Sequence, residues 1–188
     1  MWLAEFGEND KVVAVSKALG EMLRVSLNIN QTMVPLALEL AHTENYLKIQ
    51  QQRYIDKISY QISGEAKLLT AVVPKLILQP LIENAVYHGV KEKKDFSVIR
   101  IRIHRHGGKL LINIMDNGVG IEAEALKQLR QQLQTPESFP SDSVGLLNVS
   151  KRIALLYGDS WSMKIYSKKG KGTLLKIEIL LDKERETI

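Results

Sequence analysis

The order of hydrophobic periodicities predicts an α+β fold: a two-layer α/β sandwich with a mixed, mostly antiparallel sheet and an N-terminal helical hairpin. Three observations predict it. Up to about residue 56, apolar residues recur at three- and four-residue steps, the helical period. From Lys57 they alternate singly with polar residues, the strand period. Beyond that, helical and alternating stretches interleave instead of forming one block of each. A chain of 188 residues has room for one domain and an appendage, placed here at residues 57–182 and 1–56.

The first helix is expected over Lys11–Leu27, where Val12, Val15, Leu19 and Met22 share one stripe. A second is expected over Pro35–Asp56, with Leu36, Leu40, Leu47 and Tyr54 in line. Pro35 suits its first turn, where a missing N–H has no partner to lose. Asn28–Asn30 separates the two, and such a hairpin needs a partner or a second copy to cover its apolar stripes. Ile58, Tyr60 and Ile62 make a strand. Val73–Val90 reads as a helix, with Pro74 near its start and Gly89 near its end. Ile99, Ile101 and Ile103 alternate with Arg100, Arg102 and His104; Gly107 and Gly108 turn the chain, and Leu110, Ile112 and Ile114 complete a β-hairpin. Glu122–Asp142 is polar and glutamine-rich, expected as a short helix followed by a mobile loop with Pro136 and Pro140. Gly145–Tyr157 is a helix, and Ser162–Ser167 and Thr173–Leu181 are strands joined by Lys168–Gly172. Asp182–Ile188 is expected to fray.

Composition narrows the function. Net charge is +5, from 26 basic and 21 acidic residues, and 45% of the chain is hydrophobic, an ordinary globular mix. No apolar run is long enough for a membrane span, and the acidic start Met1–Asp10 is unlike a secretion signal. The absence of cysteine excludes disulfides, thiolate metal sites and a cysteine nucleophile. Two lysine clusters, Lys91/Lys93/Lys94 and Lys168/Lys169/Lys171, are not interleaved with aromatics, so no nucleic-acid partner is expected. His42, His104 and His106 are expected at the surface.

Four segments carry chemistry: Gln79–Gly89, Asp116–Ile121, Ser143–Val149 and Gly170–Thr173. An Asn in mid-helix is a poor helix former, so Asn84 is expected to be there for its side chain, whose oxygen suits Mg²⁺. His88, four residues on, projects from the same helical face toward a phosphate. Asp116 ends a strand, where its carboxylate can accept a hydrogen bond from an exocyclic amine. Gly118 and Gly120 allow close backbone approach and a sharp turn. Gly145 opens a helix, whose free N–H groups favour phosphate oxygens. Singly these are also a tight turn, a satisfied buried amide and a hairpin bend; their common order points to a nucleotide.

In that order, the segments resemble the C-terminal part of LytS/YesM-type sensor histidine kinases, whose catalytic domain has the Bergerat-type ATP-binding fold shared with gyrase, Hsp90 and MutL. Gln79–Gly89 resembles the N box of that family, Asp116–Ile121 its G1 box and Gly145–Arg152 its G2 box. The resemblance implies an enzyme, a protein-histidine kinase using ATP and Mg²⁺. Asn84 would hold the metal, His88 and the Gly145–Leu146 region the phosphates, and Asp116 the adenine amine. Gly118, Gly120 and Thr173 would complete the pocket, with Glu122–Asp142 as a lid over the nucleotide.

The pattern also departs from its relatives. The ATPase branches place a hydrolytic carboxylate four residues before the Asn, and here that position is Pro80. Glu83 is the remaining candidate for a catalytic carboxylate, about 100° round the helix from Asn84. Tyr87 replaces a frequent Lys, and Ser143 replaces the first glycine of the G2 box. None of the four histidines has the Pro-His-Phe context of the family's phosphoacceptor, so no phosphoacceptor is expected in this chain. The expectation is a cytoplasmic domain of a bacterial inner-membrane sensor that binds nucleotide without phosphorylating itself. It would act with its own upstream His region, a response regulator and a second copy of the full-length protein. The rivals are an ATPase clamp of the gyrase/Hsp90 kind and an interaction module that kept the fold and lost nucleotide.

Overall fold

A computed structural model describes residues 9, 12–13, 15–20, 32–54, 57–88, 96–134 and 145–181. Residues 15–20 are helical, and the remainder of the first helix lies largely outside the described residues. A short strand β1 (Met33–Pro35) leads into helix α1 (Leu36–Arg53), then strand β2 (Ile58–Gly64). One 3-10 turn (Ala66–Leu68) precedes strand β3 (Val72–Pro74) and helix α2 (Gln79–Val86). Strands β4 (Ser97–His106) and β5 (Lys109–Asp116) are followed by helices α3 (Ala123–Gln134) and α4 (Gly145–Tyr157). Strands β6 (Trp161–Lys168) and β7 (Gly172–Leu180) close the order.

The main sheet runs β2-β4-β5-β7-β6. Only β2 and β4 are parallel; the other three pairs are antiparallel. The period-two pattern of the sequence decides which face is covered. Ile99, Ile101, Leu110, Ile112, Ile177 and Ile179 are almost wholly inaccessible and share one core with Leu78, Ile82, Leu147 and Ile153 of the helical layer. Each such side chain contributes roughly 1.5–3 kcal/mol by leaving water. Their neighbours Arg100, Arg102 and Lys164 are exposed on the opposite face. Gly107 and Gly108 both adopt left-handed backbone at the β4–β5 turn, which a side chain would resist.

Several expectations need correction. Val73–Val90 is not one helix. Val72–Pro74 is a strand paired antiparallel with Met33–Pro35, and the helix starts only at Gln79. Pro80, not Pro74, occupies its first turn. The pairing partner of Val73 is Val34, too distant in sequence for a local pattern to reveal. His42 is buried, not on the surface. The covered face of α1 includes Leu36, Glu39, Thr43, Leu47 and Gln50, whereas Leu40 and Tyr54 are only partly covered. Three of those five, Glu39, Thr43 and Gln50, are polar. Residues 89–90, 135–142 and 182–188 of the expected helix end, lid and tail lie outside the described residues.

Candidate functional site

Helix α2 and the far end of β5 both line a cavity of about 430 Å³. From α2 come Leu81, Asn84 and Ala85, and His88 follows just past its last turn. The spacing of 81, 84, 85 and 88 is one helical face, as the sequence requires. From β5 come Ile114 and Asp116, followed by Val119, Gly120, Ile121 and Glu122. Thr173 and Leu175 of β7 also line it. Leu146 and Leu147 at the start of α4, with Ala125, Leu129 and Gln132 of α3, complete the enclosure. The lining is mostly apolar with a few convergent polar groups, the usual chemistry of a small-molecule site.

The loop after β5 is locked to the sheet. Asp116 Oδ1 accepts the Gly118 N–H at 2.8 Å. Asn117 spans to β4: its Oδ1 accepts the Val98 N–H at 2.7 Å and its Nδ2 donates to the Phe96 carbonyl at 3.2 Å. From the other side the β6–β7 hairpin clasps the loop, with Gly170 N–H donating to the Val119 carbonyl at 2.6 Å. Ser167 Oγ accepts the Ile121 N–H at 2.9 Å and lies 2.9 Å from Thr173 Oγ1. Gly120 has φ +67°, and a Cβ there would collide with the Lys168 carbonyl. Its lack of a side chain thus serves the approach of two protein backbones, not only that of a ligand.

The helical wall is held differently. α2 has no side-chain cap of its own. Instead Glu39 of α1 accepts the N–H groups of Leu76 at 2.5 Å, Ile77 at 2.9 Å and Leu78 at 3.1 Å. Burial holds the Glu39 carboxyl above its usual range, and the three N–H donors, with His42 nearby, offset that only in part. Arg152 of α4 donates to the carbonyl of Lys75, in the same turn. Leu76 has φ +56°, left-handed backbone that costs a side-chain-bearing residue about 1–2 kcal/mol.

Six residues singled out by sequence line the cavity: Asn84, His88, Asp116, Gly120, Leu146 and Thr173. Gly118 does not line it but donates its N–H to Asp116 Oδ1. Gly145 begins α4, where an added Cβ would lie 3.3 Å from Pro80 Cβ and 3.8 Å from Asn84 Nδ2. Glu83 is not brought into the cavity. Its Oε1 accepts from Gln79 Nε2 at 2.7 Å, and its charge acts on Tyr46 of α1. Burial first, then Glu83 and Tyr54, push that phenol up to about 12. Sequence reasoning missed Asn117 and Glu39. An Asn directly after a strand-ending Asp was a readable turn signal for the first; nothing local marked the second.

Residues 72–184 match the family described as histidine kinase-, DNA gyrase B-, and HSP90-like ATPases, and residues 1–58 match the histidine kinase family. The sensor histidine kinase YesM of Bacillus subtilis is 28% identical over 95% of this chain, which covers 29% of YesM. Sensor protein kinase HptS of Staphylococcus aureus is 33% identical over 90% of this chain, which covers 32% of HptS. The chain therefore spans about a third of the length of these curated relatives. Among solved structures, the catalytic domain of histidine kinase ThkA aligns with TM-score 0.60 and 16% identity, covering 82% of this chain and 97% of that one. The histidine kinase domain of the Erythrobacter litoralis EL346 blue-light activated kinase aligns with TM-score 0.56 and 16% identity, over 98% and 85% of the respective chains. No helix among the described residues is long and apolar enough to cross a membrane. The chain belongs to the family of histidine kinase-, DNA gyrase B- and HSP90-like ATPases.

Proposed function

We propose that the cavity between α2 and the β5 end binds Mg·ATP and that, within the longer protein, the γ-phosphoryl passes to a histidine outside this chain. The observation that carries this reading is the convergence of Asp116, Asn84 and His88 on one mostly apolar cavity. Its volume falls in the range of roughly 300–1,000 Å³ usual for such ligands. Residues 1–56 are then taken as part of the dimerisation and linker region, and residues 57–182 as the catalytic domain.

Asp116 accepts a hydrogen bond from the adenine amine, while Gly118 and Asn117 keep its loop in register. Ile114, Val119, Leu147 and Leu175 supply the apolar surfaces that cover the base. At the other end, Asn84 offers an amide oxygen, His88 an imidazole and α4 its N-terminal backbone from Gly145 onward. Among the described residues no cluster of three His, Cys, Asp or Glu stands ready to hold a metal. A single amide ligand fits a Mg²⁺ that arrives on phosphate oxygens and keeps several waters. A bound Mg²⁺ would supply charge neutralisation of the phosphate oxygens. The protein's share is positioning and the exclusion of water. An attacking imidazole nitrogen already has its lone pair, so no carboxylate base is needed, and we assign none to Glu83. We further propose a response regulator as the next acceptor and a homodimer as the working unit.

Titration calorimetry of Mg·ADP into the chain and into Asp116→Asn tests the base pocket. Saturable binding is expected, weakened about a hundredfold or more in the variant, because the amide presents a donor to the adenine amine. Equal affinity in both proteins, or no binding by the unaltered chain, overturns the reading.

A further inference from the structure

Helix α2 presents Asn84 and His88 to the cavity, and apart from Pro80 in its first turn its start is set from outside the helix. It lacks a side-chain cap, and the residue at its entrance, Leu78, is already helical in backbone. The preceding turn, Lys75–Leu78, contains the strained Leu76. A turn of this kind persists only when its surroundings over-determine it. The surroundings here are two side chains from other helices: Glu39, which gathers three consecutive N–H groups, and Arg152, which takes the Lys75 carbonyl.

The identity of the clamp is informative. Glu39 is 2% exposed and lies on a covered face that could have been wholly apolar. A carboxylate is expensive to bury and is retained where its acceptor geometry is required. Two oxygens can serve three N–H groups at once, whereas an amide offers one oxygen and turns a donor toward the others. Register matters downstream. Each residue of helix turns about 100° and rises about 1.5 Å, so a slip of one residue at Leu78 would swing Asn84 off the cavity face. The adenine wall has no such dependence, because Asp116 and Asn117 are fixed within the sheet and its hairpin.

We propose that Glu39 is a positioning residue for the phosphate end of the site: by setting the start of α2, it fixes Asn84 and His88 and ties that half of the cavity to helix α1. The proposal rests on the reading of the cavity as an Mg·ATP site and deepens it. A displacement of α1 is then felt by the phosphate-binding residues and not by the base-binding ones.

The experiment compares Mg·ADP with adenosine, which tests the phosphate and base ends separately. Both are titrated calorimetrically into the 188-residue chain and into Glu39→Gln, with a thermal melt of each protein. Glu39→Gln is expected to weaken Mg·ADP about tenfold or more while adenosine affinity stays within about twofold. A carboxylate that merely supported the fold would lower the melting temperature and leave the ratio of the two affinities unchanged; that result overturns the proposal. Should Glu39→Gln fail to fold, Glu39→Asp retains the charge with a shorter reach, and the same split, smaller in size, is expected. Absence of a split in the folded variant overturns the proposal while leaving the site reading intact. If the unaltered chain binds neither molecule, the site reading falls and the positioning role with it.

Discussion

The two walls of the cavity are built on opposite plans. The sheet wall, Asp116 to Ile121, is secured by immediate neighbours: Asn117 ties it to β4, and Ser167 and Gly170 of the β6–β7 hairpin ties it from the other side. The helix wall, with Asn84 and His88, is secured at a distance, through a strained turn gripped by Glu39 from α1 and Arg152 from α4. One wall is therefore an internal property of the sheet, and the other depends on where two further helices stand. On the proposed reading, a base pocket of fixed shape suits the first plan, and a phosphate end coupled to α1 suits the second.

The sharpest way to break the sheet wall is Gly120→Ala. The methyl would meet the Lys168 carbonyl, in a left-handed conformation that already disfavours a side chain. A loss of about 3–4 kcal/mol in denaturant unfolding is expected, from backbone strain and overpacking together. A loss below about 1 kcal/mol would mean that the hairpin yields easily and that the two walls differ less than their hydrogen bonds indicate. Asn117→Ala is milder. It strips partners from the Val98 N–H and the Phe96 carbonyl, and about 1–2 kcal/mol should be lost, accompanied by weaker adenosine binding.

The smallest effect probes the helix wall through pH. Tyr46 of α1 faces Glu83 of α2, and its phenol titrates near 12 in place of the usual 10. The folded state thus favours the protonated phenol. That contribution is complete below pH 10 and is lost as pH rises toward about 12. Tyr46→Phe should flatten the decline of the urea midpoint across this window, and the residual slope should include Tyr60, whose phenol burial also raises. An unchanged slope would show that the α1–α2 contact is looser than drawn.

How much of this was legible beforehand depends on the distance over which each feature is specified. Helix α4 was bounded correctly at Gly145 and Tyr157, since its apolar stripe lies wholly within the segment. The β4–β5 hairpin was equally plain from strict alternation around Gly107 and Gly108. The Val73–Val90 expectation failed because Val72–Pro74 gains its strand character from Met33–Pro35. His42 and Glu39 were hidden for a related reason. A polar residue at a helical position is read as solvated unless its partner is known, and the partners of Glu39 are 37–39 residues away.

The sequence by itself determined the alternation that lines the covered face of the sheet, the glycines of its turns and the chemical identities around the cavity. Local periodicity and residue type suffice for those, because each is specified within a single element. Only the tertiary structure decided that Glu83 pairs with Gln79 instead of entering the cavity, that Gly120 is needed by a neighbouring hairpin, and that a carboxylate on α1 caps the turn before α2. Those depend on which elements pack together. Packing joins residues tens of positions apart through burial and hydrogen bonding, and it leaves no periodic trace along the chain.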